Sequence, residues 1–296
     1  MSTGLELTGH DKDLGGGFTV RRLLPAARRR SVGPFVFFDH FGPVTQVPGA
    51  SHDVRPHPHI GLATVTYLYE GAMMHRDSLG CEQLIEPGAI NWMRAGRGIV
   101  HSERRPQALR QTEMVVHGLQ LWVALPEALE EAEPAFTHTP AAAIPVLDLG
   151  GARVRVLVGE AFGARSPVRP ESPTTYLDLQ LPAGATLDLP AVATELALYL
   201  VEGEAVVDGQ PLAARRMRVL EGGQGTRIEA RDASRIAVVG GEPLGPRHMW
   251  WNFVHSRPER IHQAAADWEA GRFAPVPGET ESIPLPAQRF VQAPPL

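Results

Sequence analysis

His57-Pro-His59-Ile-Gly-Leu-Ala-Thr-Val-Thr-Tyr-Leu-Tyr-Glu-Gly71 is the stretch on which the fold turns. Its centre is rich in β-branched and aromatic residues and is stopped by Glu70-Gly71, which reads as a strand closed by a turn. The same ending recurs 132 residues later, where Tyr67-Leu-Tyr-Glu-Gly71 becomes Tyr199-Leu-Val-Glu-Gly203. A second turn signal, Ala95-Gly-Arg-Gly98, has its counterpart in Gly222-Gly-Gln-Gly225. Short alternating runs separated by turn pairs such as Pro87-Gly88 and Asp208-Gly209 surround each copy, as in a β-sandwich or small barrel. The chain therefore reads as a duplicated β-unit. Periodicity breaks between Glu130 and Ala143, which divides it into an N-terminal domain at 1–137 and a C-terminal domain at 138–296.

The first copy opens on His57-x-His59 and is followed by His101-x-Glu103. On a strand, residues spaced i, i+2 share a face. Two facing strands would thus bring three imidazoles and one carboxylate together, a donor set for a first-row transition metal that keeps positions open. Counted from the shared glycines, the corresponding places in the second copy hold Leu189, Ala191, Ile228 and Ala230, and no histidine occurs between His138 and His248. A fold that accepts apolar residues at all four places does not need histidine to pack. The second domain is expected to lack a metal site.

These residues sit within a wider resemblance. Val32-Gly-Pro-Phe-Val-Phe-Phe-Asp-His-Phe-Gly-Pro43, the His57 stretch, Trp92-Met-Arg-Ala-Gly-Arg-Gly-Ile-Val-His-Ser-Glu103 and His117-Gly-Leu-Gln-Leu-Trp122 resemble the pirin family of bicupins. Trp250-Trp-Asn-Phe-Val, Ala270-Gly-Arg-Phe and Ile283-Pro-Leu-Pro resemble its bacterial branch. The resemblance implies an all-β fold of two tandem cupin (double-stranded β-helix, jelly-roll) barrels with a short C-terminal helix. It also implies one ion, Fe(II), on His57, His59, His101 and Glu103, the carboxylate coming from Glu103 because Ala63 and Thr64 stand where many cupins carry a ligand glutamate. Manganese, nickel, copper and zinc accept the same N3O donors. The implied activity is flavonol (quercetin) 2,3-dioxygenation, with a small aromatic or flavonol substrate, O2, and Glu103 as proton acceptor. The alternative is a non-enzymatic, metal- and redox-dependent regulatory protein that binds a protein partner.

Other residues carry weaker expectations. His75 and Asp77 read either as partners behind the metal ligands or as a turn-edge pair. Asp39-His40 reads as a buried hydrogen-bonded pair. His117 and Gln120 are placed to approach the metal from a neighbouring strand, and Arg97 reads as a turn arginine unless it gates the mouth. Phe35, Phe37, Phe38 and Phe41 read as core. Cys81, the single cysteine, excludes an internal disulfide and reads as a packed small residue in a reducing compartment.

At 296 residues, 43% hydrophobic and 21% charged, the composition is that of a globular protein. A net charge of -5 disfavours direct nucleic-acid binding. The local basic run of Arg21, Arg22, Arg28, Arg29 and Arg30 reads as a solvated face. No apolar stretch approaches the roughly 18 residues that span a bilayer, and Met1-Ser-Thr-Gly-Leu-Glu-Leu-Thr shows no secretory pattern, so a cytoplasmic location is expected. Ser256-Arg-Pro-Glu259 reads as a capping box for a helix over 256–270, with Ile261, Ala265 and Trp268 on its apolar face. That segment is assigned structure and no chemistry.

Overall fold

The computed structural model describes residues 4–13, 19–50, 53–220 and 223–291. The architecture is all-β with one C-terminal helix, as expected. Two compact units emerge, each holding one seven-stranded and one four-stranded sheet. In the first, the large sheet runs Ala135–Thr139, Ile90–Arg94, Leu62–Glu70, Met114–Ala124, Phe35–Gln46, Thr19–Leu24, His10–Asp13, and the small one Val54–His59, Ile99–Arg104, Met73–Asp77, Glu82–Ile85. In the second, the large sheet runs Leu5–Leu7, Met217–Leu220, Glu195–Glu202, Ser234–Gly241, Thr174–Leu181, Ala152–Val158, Val146–Leu149, and the small one Thr186–Leu189, Thr226–Ala230, Glu204–Val207, Gln210–Ala213. The strand orders match except at one edge of the large sheets, where Ala135–Thr139 stands in the first unit and the N-terminal Leu5–Leu7 in the second; this is the duplication seen in three dimensions.

The repeated glycines mark equivalent turns. Gly71 has φ 86° and Gly203 φ 88°. A Cβ on Gly71 would lie 2.5 Å from the Val115 carbonyl oxygen, and one on Gly203 2.4 Å from that of Ala233. Both turns therefore demand glycine. Gly222 of the second turn signal lies outside the described residues.

The equivalence of the ligand positions needs a correction. His57 pairs with His101, and His59 with Ile99, whereas in the second unit Leu187 pairs with Ile228 and Leu189 with Thr226. Strand register thus equates His57 and His59 with Leu187 and Leu189. Ala191 is exposed beyond the end of its strand. From Leu189 to Gly203 is two residues farther than from His59 to Gly71, so counting from the glycine shifts the match by two. Leu187, Leu189, Ile228 and Ala230 are all buried in the apolar core of the second unit. The interior that holds polar donors in one copy is filled by side chains in the other.

The units are interleaved along the chain. One comprises Asp11–Arg22, Phe37–Ala141 and Gly245–Leu296, the other Met1–His10, Leu23–Val36 and Ala142–Leu244. Leu5–Leu7 pairs with Met217–Leu220 and completes an edge of the second unit's large sheet. The tail, in turn, belongs to the first unit, where Phe253 bridges to Ile60.

The helix spans Pro258–Glu269, with proline in its first turn and Ile261 and Ala264 buried. These pack with Ile60 and Phe253, and Ala265 is only partly buried. The expected capping box does not form: Arg257 is the N-cap and makes no side-chain capping bond. Ser256 is taken by Glu130 instead, its hydroxyl donating to Oε2 at 2.6 Å and its backbone N–H to Oε1 at 2.9 Å. A charged acceptor outcompetes the helix's own amide for that hydroxyl.

Candidate metal centre

Val54–His59 is an edge strand of the small sheet, which explains how Pro56 and Pro58 sit beside the histidines. Proline lacks a donor, and an edge strand leaves that side of the ladder unused. Against it lies Ile99–Arg104, with His57 opposite His101. Ring centroids are 4.4 Å apart for His57 and His101, 5.0 Å for His57 and His59, and 5.1 Å for His59 and His101. One nitrogen from each ring falls within 4.8 Å of the other two. All three side chains are buried.

The outward nitrogens have partners that set the tautomers. His57 Nδ1 lies 2.9 Å from the Arg55 carbonyl oxygen, and His59 Nδ1 lies 3.0 Å from that of Asn252. A carbonyl only accepts, so each Nδ1 carries the proton and each Nε2 keeps a lone pair. His101 Nδ1 faces His75 Nδ1 at 3.4 Å, and His75 Nε2 lies 2.9 Å from Asp77 Oδ2. Asp77 accepts from His75, so with one proton on each ring His75 Nδ1 is the acceptor for His101 Nδ1–H. The last lone pair of this chain is on His101 Nε2, which is buried with no hydrogen-bond partner. A histidine serving only the core would have both nitrogens satisfied. An orphaned lone pair among neutral imidazoles, each tied behind to a carbonyl or a carboxylate-bound partner, fits a transition metal.

Protonation equilibria point the same way. Burial lowers the His57 imidazole to about 4, against the Arg55 carbonyl, which favours the charged form. Burial, then the neighbouring imidazoles, holds His59 and His101 well below the ordinary range. All three are therefore neutral, as ligands must be. Glu103 stands apart from the three-imidazole cluster but opens on the same cavity. Burial pushes its carboxyl up to about 7, against the Thr66 hydroxyl, 3.3 Å from Oε1. Thr66 Oγ1 is also 2.9 Å from Gln120 Oε1. One hydroxyl proton serves one of these acceptors at a time.

The cavity holds about 300 Å³. Phe37 stacks on Trp122 with centroids 4.0 Å apart, and Trp122 meets His59 edge-on at 5.1 Å. Phe37 and Phe41 are core residues, as expected, and also line this cavity. Trp251, Asn252 and Ile283 line it too, and Asn252 orients His59. The C-terminal segment, assigned structure alone from sequence, thus supplies part of the site. No local signal in residues 245–296 announces this.

The remaining candidates sort clearly. His75 and Asp77 are buried behind His101, and strand register sets Ala205 and Val207 in their places in the second unit. They share the pattern of the candidate ligands, polar in the first unit and apolar in the second. His117 pairs with His40, Nε2 to Nε2 at 2.7 Å, and belongs to no cluster of ligand atoms among the described residues. Asp39 receives Arg22 at 2.8 and 2.7 Å, while Gln120 lines the cavity. Arg97 does not gate the site; it forms an exposed ion pair with Glu133 at 2.8 Å. Burial, then Asp77, raises the Cys81 thiol above its ordinary value.

Residues 17–123 match the family described as Pirin, and residues 176–274 match the Pirin C-terminal cupin domain. A pirin-like protein of Caulobacter vibrioides is 48% identical, over 93% of this chain and 96% of its own. The crystal structure of a quercetin 2,3-dioxygenase from Acinetobacter baumannii superposes with a TM-score of 0.91 at 36% identity, covering 98% of this chain and 97% of that one. Human pirin is 34% identical, over 89% of this chain and 91% of its own.

Proposed function

The chain belongs to the pirin family of two-barrel cupin proteins, and from that membership we propose that it is a metal-dependent dioxygenase of the quercetin 2,3-dioxygenase type. In this reading His57, His59, His101 and Glu103 hold Fe(II), and Glu103 also accepts a proton from the substrate. The observation that carries it is the orphaned His101 Nε2 among three neutral imidazoles, facing a cavity with aromatic walls. When bound, such an ion supplies a Lewis-acidic, redox-active centre with open coordination positions.

The chain's own residues then divide the work. Glu103, raised to about 7 by burial, is poised to take the proton of an enol or phenol near neutral pH. Thr66 orients that carboxyl through its hydroxyl. The Phe37–Trp122 stack offers a flat apolar wall to an aromatic ring and keeps water from it. A cavity of about 300 Å³ suits a small aromatic or flavonol substrate together with O2.

Metal analysis of protein purified from its own host identifies the ion, since manganese, nickel, copper and zinc share the donor preference. Anaerobic reconstitution with Fe(II), followed by a flavonol and O2, then tests turnover. Oxygen uptake matched by ring-cleaved product supports the dioxygenase. Oxidation of iron with the flavonol left intact sinks it and favours the redox-dependent, partner-binding reading.

A further inference from the structure

The strand Ile99–Arg104 turns His101 and Glu103 toward the cavity and Ser102 away from it, while Arg104, at the strand's end, borders the cavity as well. Ser102 and Arg104 both reach one carboxylate in the C-terminal segment, Glu279, and Arg104 also donates to Asp53 Oδ2 at 3.3 Å and to Glu281 Oε1 at 3.1 Å. Ser102 Oγ donates to Glu279 Oε1 at 2.5 Å. Arg104 Nε donates to Glu279 Oε2 at 3.0 Å, and its Nη2 reaches the same oxygen. The pair is sheltered, with side-chain exposures of 12% for Arg104 and 8% for Glu279. Four residues on, the Ile283 N–H donates to the Pro56 carbonyl at 2.8 Å, on the strand that carries His57 and His59. Trp268 Nε1 in turn donates to the Ile283 carbonyl at 3.0 Å, tying the segment to the helix. One short stretch of chain grips both ligand strands from behind.

That grip falls where the sheet is weakest. The ladder between the two ligand strands slips between His101 and Glu103, the two residues that flank Ser102. On its far side the Val54–His59 strand is an edge, with two prolines that cannot donate. Backbone pairing alone therefore defines the spacing of the donors poorly, while a ligand set needs its donors held within about 0.5 Å.

We propose that Glu279 is a positioning residue of the metal centre, pinning the His101–Glu103 segment through Ser102 and Arg104; this rests on the metal reading above. Its carboxylate touches no donor atom and no part of the cavity interior. It acts through the strand, as the residues behind a ligand do in general, where substitution typically lowers metal affinity by about 10- to 100-fold.

The test uses the full chain with Co(II) as probe, reading affinity by chelator competition and coordination by the visible absorption bands. Glu279→Ala is expected to weaken Co(II) binding by about 10-fold or more and to alter the bands, with Glu279→Gln between it and the parent. Arg289→Gln, which removes the exposed Arg289–Glu269 pair at 2.6 Å, is expected to change neither. A folded Glu279→Ala chain with parental affinity and spectrum overturns the proposal. Should that variant not fold, Ser102→Ala decides: parental affinity and bands overturn the proposal, and weaker binding with altered bands supports it. A parental chain that binds no Co(II) overturns the metal reading itself.

Discussion

His101 and His75 meet Nδ1 to Nδ1 at 3.4 Å, and with one proton on each ring a single arrangement satisfies both. His75 Nε2–H donates to Asp77 at 2.9 Å, so His75 Nδ1 accepts from His101 and leaves His101 Nε2 as a bare lone pair. Asp77 is itself fixed by the Leu79 and Cys81 N–H groups at 2.9 and 3.1 Å. In the proposed metal centre, a carboxylate two residues removed from the ion thus sets which nitrogen would bind it.

Asp77→Asn leaves a side chain of the same shape that no longer enforces this tautomer. Metal affinity, measured by chelator competition, is expected to fall by about 10- to 100-fold while the far-UV spectrum is retained. Undiminished affinity would remove the relay from the account of the site.

His101→Ala deletes the donor whose lone pair has no other partner. The purified variant is expected to lose its bound metal by elemental analysis, and with it any oxygen consumption. Full metal content in this variant would refute the ligand assignment.

Glu103 gives a pH dependence to the metal-free protein. Its folded value, about 7, lies above the ordinary 4.5, so its contribution to stability is fully present below 4.5 and is lost as pH rises through 7. Glu103→Gln has no such loss. In urea unfolding, the variant is expected to gain on the parent between pH 4.5 and 7 by roughly 1–3 kcal/mol, taking about 1.4 kcal/mol per unit as the ceiling. A difference that stays flat across that window would show that the carboxyl is not displaced from its ordinary range.

Glu130 neutralises Arg247 at 2.8 Å with both side chains almost wholly buried, and it also holds Ser256 and His255. Glu130→Ala leaves a buried guanidinium without its counter-ion. Destabilisation of about 3–5 kcal/mol is expected by denaturant titration, far above that of an exposed pair such as Arg165–Glu160.

Gly61 has φ 69°, and a Cβ there would lie 1.8 Å from the Val254 carbonyl oxygen. Gly61→Ala therefore pushes the tail off the barrel next to His59, and a loss of about 2 kcal/mol or more is expected from the thermal midpoint. Metal affinity should fall with it, because Asn252 orients His59.

Much of this was legible in the residues. The i, i+2 dyads, the repeated Glu-Gly turns and the apolar residues of the second copy report on strand alternation and backbone sterics, which are local. What the residues do not report depends on distance. Counting from the shared glycine places the second-copy equivalents of His57 and His59 two positions away from those set by register, because loop length is free while register is not. Ser256 looked like a helix cap until Glu130, 126 residues away in sequence, supplied a stronger acceptor. His117 had the right chemistry for a ligand, yet His40 occupies it at 2.7 Å.

The sequence by itself determined the duplicated β-architecture, the copy that carries donors, and the three histidines that converge, since alternation along a strand follows from covalent geometry. Tertiary structure alone decided what stands behind and over those donors. Asn252 orients His59 across 193 residues, and Glu279 grips the His101 strand across 177. Such contacts depend on which distant surfaces bury one another, and no local pattern of residues encodes that choice.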